Sequence, residues 1–326
     1  MKPFTRRSFV TLSVAALAAA GCAPAGLAMP GTGSKTPTSA TTTATPPTTA
    51  APASPPPTPS VSETPSSPAT TPSAPETTTS PEPPVNPDVL IPGKNHIGAA
   101  AEYVYSAKQV QRWLQGKDAP PKKKKIVFLT FDDGPNHQTT PIILDALKDA
   151  GVHATFYVVG SMLNDAPELL QREIAEGHSI NLHSWSHDYS HLYPGRSANA
   201  KRIEEEYLKT LAKVREILGD DFNTEGWRYP GGHMSWNNMK PADKALAKHG
   251  VAWVDWNADT ADSAPKSRRP STIDQLVANA TMPIRAGYHV AVVLGHDTPD
   301  KSLTAKSTPA MIKAYKKAGY TFGVIS

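Results

Sequence analysis

Two histidines and two adjacent aspartates are the residues of this sequence best suited to bind a metal ion. His183 and His187 are four residues apart, so a single helical turn would place both imidazoles on one face. Asp132 and Asp133 precede Gly134-Pro135, which would end a strand and let both carboxylates share one site. Two histidines and one carboxylate make a metal site with open positions. The second carboxylate could then act as a base.

Glycoside hydrolysis is the alternative chemistry for paired carboxylates. Its two carboxyl groups flank the scissile bond from separate positions, roughly 5–9.5 Å apart. Asp132 and Asp133 are neighbours in the chain, which makes that arrangement less favourable. A helix cap followed by a turn is a structural interpretation of the same pair. The histidines favour the metal site over both alternatives.

A repeated alternation of strands and helices must position these residues. The predicted strands lie at 126–131, 154–159, 178–182, 226–229, 251–256, 289–294 and 320–325, and the predicted helices at 141–150, 167–176, 198–218, 242–249, 273–281 and 308–317. This order predicts an α/β fold with a parallel sheet, either open and doubly wound or closed into a distorted (β/α) barrel. No glycine-rich phosphate-binding loop follows the first strand, which argues against a dinucleotide fold.

Each polar cluster follows the carboxyl end of a predicted strand. The clusters are Asp132-Asp133, His183–His187, Arg228–Gly232, Asp255-Trp256 and His296-Asp297. The carboxyl ends of parallel strands share one edge, where the active sites of such folds assemble. We therefore expect all five clusters to contribute to one site.

Together the clusters resemble the five motifs of the polysaccharide deacetylases with a NodB homology domain, carbohydrate esterase family 4. The matching segments are Thr130–Pro135, His183–His187, Arg228–Gly231, Asp255-Trp256 and Leu294–His296, in that order. The resemblance extends over about residues 122–326. Asp188 departs from it, since many members have Pro there, and we expect a reshaped loop.

The resemblance implies a distorted (β/α) barrel of about seven parallel strands and a hydrolase that removes N-acetyl groups from a glycan. It implies a divalent metal, zinc first, with cobalt, manganese or nickel as alternatives. It implies that Asp133, His183 and His187 bind the metal, that Asp132 is the general base and that His296 is the general acid. It also implies that Arg228 pairs with Asp132 and keeps it ionised, that Asp255 orients His296, and that the Gly231 N–H binds the oxyanion. A carboxylate beside Arg and a metal is expected to have a low pKa, and a His beside a carboxylate stays protonated to higher pH.

Aromatic residues in or beside the motifs are the candidate substrate contacts, because sugars stack their apolar faces on such rings. The predicted substrate-binding residues are Tyr229, Trp256, Trp236 and Leu294. Core packing is the competing interpretation for any of these rings, and we expect it for Trp227 and Trp253.

The chain before the domain predicts export. Residues 1–22 combine a basic start, Arg6-Arg7 and a short apolar run, which resembles a twin-arginine signal peptide. Residues 19–22 resemble a lipobox, which predicts lipidation of Cys22; ordinary cleavage nearby is the alternative. Residues 23–93 are rich in Pro, Thr and Ser and predict a disordered linker. A lead-in segment at 94–121 and a deacetylase-like domain at 122–326 follow.

The composition of the chain limits the classes of fold and of binding partner to be expected. A single cysteine excludes a disulfide scaffold, and a net charge of +4 gives no reason to expect nucleic acid. We expect an exported monomer, held at the outer face of the cytoplasmic membrane or in the cell wall by a lipid anchor. Its expected substrate is N-acetylglucosamine of peptidoglycan. The alternative substrates are chitin oligomers, xylan or another exopolysaccharide. The alternative functions are a non-catalytic wall-binding module and a small-molecule amidase.

Overall fold

The computed structural model describes residues 86 and 88–326. The predicted signal peptide, Cys22 and most of the predicted linker lie outside the described residues. Within them, no helix combines the length and hydrophobicity needed to cross a bilayer.

Strands and helices alternate along the described chain. The strands are β1 (Val104–Tyr105), β2 (Lys125–Asp132), β3 (Thr155–Val158), β4 (Ser179–Leu182), β5 (Gly226–Trp227), β6 (Ala252–Trp253), β7 (Ala258–Asp259), β8 (Val290–His296), β9 (Tyr320–Phe322) and β10 (Val324–Ile325). The α-helices are α1 (Ala107–Leu114), α2 (Thr140–Ala150), α3 (Pro167–Ala175), α4 (Tyr189–Leu192), α5 (Ala200–Leu218), α6 (Lys240–Ala247), α7 (Ile273–Ala280), α8 (Met282–Ala286) and α9 (Ser302–Lys317).

The main sheet is parallel throughout and is organised around β2. Its strand order is β6-β5-β4-β3-β2-β8-β7, and β9 pairs with the first residues of β2. Every β2 residue after Lys125 is buried, as expected for a parallel strand covered on both faces. The result is a curled α/β half-barrel, which confirms the expected distorted barrel of parallel strands.

The register of the sheet brings two of the predicted site residues together. Asp132 lies opposite His296 in the β2–β8 pair and opposite Tyr157 in the β2–β3 pair. All three therefore reach the carboxyl edge at the same level. This alignment is set by the pairing of the strand backbones and does not depend on the side chains.

Local sequence signals account for the helices that were predicted well. In α2, Pro141 occupies the first turn and Gly151 ends the helix in the left-handed conformation. Along α5, Ile203, Tyr207 and Val214 form part of one buried stripe that faces the core.

Two departures from the predicted elements occur near the C-terminus. Helix α9 begins at Ser302 rather than at Thr308, and Pro309 lies inside it. The hydroxyl groups of Ser307 and Thr308 bond to carbonyls one turn earlier in this helix. The last predicted strand is divided at Gly323, where a Cβ would press on Phe128. Its first part pairs with β2 and its second with β1.

The segment before β2 packs against the domain. β1 pairs with β10, and the buried side chains of Ile97, Ala107 and Val110 contribute to the core clusters. The fully buried Asn95 amide donates to the carbonyls of Ile180 and Ile325, at 3.0 and 3.1 Å. Asn95 therefore joins the lead-in to β4 and β10.

We expect Asn95→Ala to lower the free energy of unfolding by about 2–3 kcal/mol, because it removes a fully buried amide and its hydrogen bonds to the Ile180 and Ile325 carbonyls. Asn237→Ala, which truncates an exposed side chain, is the matched control and should change it by less than about 0.5 kcal/mol. Urea unfolding followed by circular dichroism measures both. Equal effects of the two variants would show that Asn95 does not join the lead-in to the sheet.

Candidate active site

A cleft of about 400 Å³ opens where β2, β4 and β8 end. Most of the predicted site residues line it: Asp132, Asp133, His183, His187, Gly231, Trp256, Leu294 and His296. The lining is completed by residues that the sequence analysis did not single out, namely Tyr189, Asp259, Ser263, Thr298, Asp300 and Lys301. The cleft thus collects side chains from distant parts of the chain.

Asp132 and Asp133 share the cleft because the chain turns sharply between them. Asp132 is the last residue of β2, whereas Asp133 has a φ of 82°, in the left-handed region. A regular strand would have sent the two side chains to opposite faces. Such backbone strain in a residue other than glycine is typical of functional sites.

His183 and His187 meet through a loop, so the predicted helical turn is wrong. Ser184 and His187 have φ values of 69° and 54°, which fold the segment back on itself. The Ser184 hydroxyl accepts a hydrogen bond from the His187 N–H at 3.0 Å. The imidazole centroids lie 5.0 Å apart as a result.

A buried glutamate that the sequence analysis missed supports this loop. Glu206 on α5 accepts hydrogen bonds from the backbone N–H groups of Trp185 and Ser186 at 3.0 and 3.2 Å, and from the Ser186 hydroxyl at 2.6 Å. The sequence signal that could have identified Glu206 is a carboxylate on the buried stripe of an amphipathic helix. Asp188, the position that departs from the family pattern, caps α4 through Ser190 and His191.

The donor atoms of Asp133, His183 and His187 fit a metal ion. All three lie within 4.8 Å of one another. Asp133 Oδ1 is 3.4 Å from His183 Nε2 and 3.3 Å from His187 Nε2. It is buried and has no hydrogen-bond donor among the described residues. A buried carboxylate oxygen between two imidazole nitrogens is a ligand set that a divalent cation would satisfy.

The tautomer of His183 also suits a ligand. Its Nδ1 lies 2.7 Å from the Arg228 carbonyl oxygen, which can only accept a hydrogen bond. Nδ1 must therefore carry the proton, which leaves the Nε2 lone pair facing Asp133. Burial holds the pKa of His183 well below its ordinary value, so the ring is neutral.

Arg228 and Asp132 form a buried ion pair. Arg228 Nη1 donates to Asp132 Oδ1 and to Thr130 Oγ1, both at 2.7 Å, and Arg228 Nε donates to the Val254 carbonyl at 2.9 Å. Burial raises the pKa of Asp132 to about 6, while the charges of Arg228 and His296 oppose the rise. Burial therefore outweighs the guanidinium among the protein's own groups, and the low pKa expected beside both Arg and a metal stays a prediction.

The carboxylate that contacts His296 is Asp262, so the assignment of this role to Asp255 is corrected. Asp262 Oδ1 lies 2.6 Å from His296 Nδ1, and Asp262 Oδ2 accepts from the His296 backbone N–H at 3.0 Å. Asp255 instead accepts from the His233 backbone N–H at 3.0 Å. Burial alone would lower the pKa of His296, but the hydrogen bond and charge of Asp262 raise it to about 9.

The predicted substrate contacts divide into two groups. Trp256 and Leu294 line the cleft, as does Gly231. Tyr229 does not: its side chain is fully buried and its hydroxyl donates to Asp243, so the prediction of a substrate contact is wrong. Trp236 is also absent from the lining, because its indole stacks on Tyr193 at 4.1 Å and donates to the Pro230 carbonyl.

Asp297 connects the two strand ends that carry Asp132 and His296. Its backbone N–H donates to the Asp132 carbonyl at 3.1 Å, and its Oδ2 accepts from Thr140 Oγ1 at 2.5 Å. Asn136 Nδ2 donates to its carbonyl. A Cβ at Gly134 would overlap the Asp297 carboxylate. The loop after β2 is therefore held in one position relative to β8.

Comparisons with known proteins agree with this geometry. The polysaccharide deacetylase family model matches residues 119–262. The chain is 32% identical over 206 residues to a peptidoglycan-N-acetylglucosamine deacetylase of Bacillus cereus, covering 62% of this chain and 69% of the relative. It is 35% identical over 174 residues to a chitooligosaccharide deacetylase of Bradyrhizobium sp., covering 53% and 71%. The structure of a Streptococcus mutans CE4 esterase superposes with a TM-score of 0.69 at 42% identity, covering 74% of this chain and 100% of that one.

We expect Asp262→Asn to lower the pKa of His296 from about 9, because burial is then opposed only by the charges of Asp133 and Asp132. Asp255→Asn is the matched control, since it neutralises the buried carboxylate that the sequence favoured. NMR titration of the His296 ring in the metal-free variants measures both. A fall in Asp255→Asn with no change in Asp262→Asn would reverse the assignment.

Proposed function

Because the chain belongs to the polysaccharide deacetylase family, we propose that it is a metal-dependent hydrolase that removes N-acetyl groups from a cell-envelope glycan, with N-acetylglucosamine of peptidoglycan as its main substrate. One observation carries this proposal. Asp133 Oδ1, which accepts no hydrogen bond from residues 88–326, faces two imidazole nitrogens in the same cleft as Asp132 and His296. A ligand set, a base and an acid are the parts that amide hydrolysis requires.

Asp133, His183 and His187 would hold the metal. We propose zinc, since two neutral imidazoles and one carboxylate suit it; cobalt, manganese and nickel are the alternatives. When bound, such an ion polarises the acetyl carbonyl and makes water a stronger acid.

Asp132 is the proposed general base. It accepts a proton from the attacking water as the oxygen of that water bonds to the acetyl carbon. A pKa of about 6 leaves Asp132 ionised at neutral pH and makes it a stronger base than an ordinary carboxylate. Arg228 holds the carboxylate in place with a 2.7 Å hydrogen bond.

His296 is the proposed general acid. It donates a proton to the amide nitrogen as the carbon–nitrogen bond breaks, which releases acetate and leaves a free amine on the sugar. Asp262 fixes the ring by its 2.6 Å contact with Nδ1, so Nε2 carries the proton that is transferred. The Gly231 N–H, at the wall of the cleft, is the proposed donor to the oxyanion.

The relatives support an envelope substrate. Peptidoglycan-N-acetylglucosamine deacetylases of Bacillus cereus and Listeria monocytogenes are among them. We propose that this chain is exported, with Cys22 as its lipid-modified N-terminus, residues 23–93 as spacer and a monomeric domain at the glycan. Chitin oligomers are the second candidate substrate, favoured by the similarity to the Bradyrhizobium enzyme.

We expect Asp132→Asn to fold, to bind metal and to lose about 10²–10⁴-fold in kcat/KM, the usual contribution of a general base. Asparagine can still accept the Arg228 hydrogen bond, so the buried cation keeps a partner. The measurement is acetate release from peptidoglycan and from N-acetylglucosamine oligomers, together with metal content. Asp220→Asn, at an exposed position, is the control and should keep full activity. Full activity in Asp132→Asn would remove this residue from the mechanism.

A further inference from the structure

A second groove, of about 640 Å³, adjoins the catalytic cleft. Trp256 and Asp259 line both. The groove continues along Met234, which is 79% exposed, and reaches the loop and helices that follow β7. A substrate that extends beyond the catalytic cleft past Trp256 would enter this groove.

The groove in turn adjoins an outer cleft of about 370 Å³. Arg268 and Asn279 line both of them. Three clefts therefore follow one another, each sharing two residues with the next. This series suits a polymer of several sugars better than a small acetylated molecule, which would need only the first cleft.

Two arginines of the groove have no protein partner in the part of the chain that the structure describes. Arg268 and Arg285 both line it, both are exposed, and neither guanidinium donates a hydrogen bond or forms an ion pair within the described residues. Every other arginine of residues 88–326 donates to a protein acceptor: Arg112, Arg172, Arg196, Arg202, Arg215, Arg228 and Arg269. The two free guanidinium groups of this domain therefore line the same groove.

We infer that Arg268 and Arg285 bind carboxylates of the glycan on sugars next to the one that is deacetylated. This inference rests on the proposed function and specifies its substrate class: a carboxylated N-acetyl glycan rather than a neutral one. Guanidinium groups pair with carboxylates through two parallel hydrogen bonds, which makes them selective as well as attractive.

The other lining groups agree with this ligand. Trp256 and Met234 offer apolar surface to sugar rings, and Asn279 adds an amide. Asp259 is the acidic residue of the lining, and its Oδ1 accepts from the Ala261 N–H at 2.6 Å. Asp259 lies where the groove meets the catalytic cleft, so an anionic group of the substrate must bind beyond it, on the side of the arginines.

In peptidoglycan the carboxylate has two sources. It is either the lactyl group of a muramic acid residue, free where no peptide is attached, or the acidic groups of an attached peptide. Both present the same chemistry to a guanidinium. Glycan strands without and with their peptides distinguish the two, and neutral N-acetylglucosamine oligomers lack both.

The test compares the full-length chain with its Arg268→Gln/Arg285→Gln variant on these three substrates. We expect kcat/KM for acetate release to fall about tenfold on the carboxylated strands and to stay within about twofold on the neutral oligomers, as for the loss of charge-assisted hydrogen bonds. A loss on only one kind of strand identifies the source of the carboxylate. Lys240→Gln/Lys266→Gln is the matched control, because it removes the same charge from exposed residues that line none of the three clefts.

Three results would overturn the inference: equal loss on all three substrates, no loss on any, or the same selective loss in the lysine control. Binding of peptide-free strands, measured by calorimetry, separates this inference from the proposed function. If the native chain releases no acetate but the arginine variant alone binds the strands more weakly, the proposed function is wrong and the inferred role of the two arginines is supported. If acetate is released and binding is unchanged in the variant, the proposed function is supported and the inferred role of the two arginines is wrong.

Discussion

The buried guanidinium of Arg228 is the constraint on which the site depends. A cation removed from water costs several kcal/mol unless it is paired, and Asp132 supplies the pairing charge at 2.7 Å. The same residue orients a proposed metal ligand, because its backbone carbonyl accepts the His183 Nδ1 proton. One residue on the chain after β5 therefore sets the position of the proposed base, Asp132, and the tautomer of the proposed ligand, His183.

The sheet makes this arrangement possible because strand pairing sets the level at which each residue reaches the carboxyl edge, independently of its side chain. Pairing of β2 with β8 sets Asp132 beside His296, and Asp297 then connects the two strand ends through backbone and side-chain hydrogen bonds. Strained residues such as Asp133 and His187 complete the site. They are held by Glu206, Asp297 and the Ser184 hydroxyl, which line no part of the catalytic cleft. The residues that line the cleft are thus distinct from those that hold its strained loops.

Much of the fold could be predicted from the sequence because its signals are local. The apolar run of β2 and the end signals of α2 can each be recognised from a few residues. Strands of two residues, such as β7, have no periodicity to detect. The division of the last strand at Gly323 depends on contacts with Phe128, far away in the chain, and could not be foreseen.

For the site, the sequence predicts which strand ends contribute but not the path of each loop. The family resemblance implies Asp255 as the partner of His296, whereas the loop after β7 carries Asp262 to the ring. Tyr229 lies within a motif, yet alternation along the chain turns its ring into the core. The raised pKa of Asp132 reflects its depth, which no sequence pattern reports.

We propose that Asp133, His183 and His187 hold a metal on which deacetylation depends. The most direct measurement is acetate release from N-acetylglucosamine oligomers by the native protein, by the protein after chelation, and after zinc is returned. We expect chelation to abolish release and zinc to restore it, with no restoration in His187→Ala. Release that is unaffected by complete removal of metal would show that deacetylation does not depend on this site.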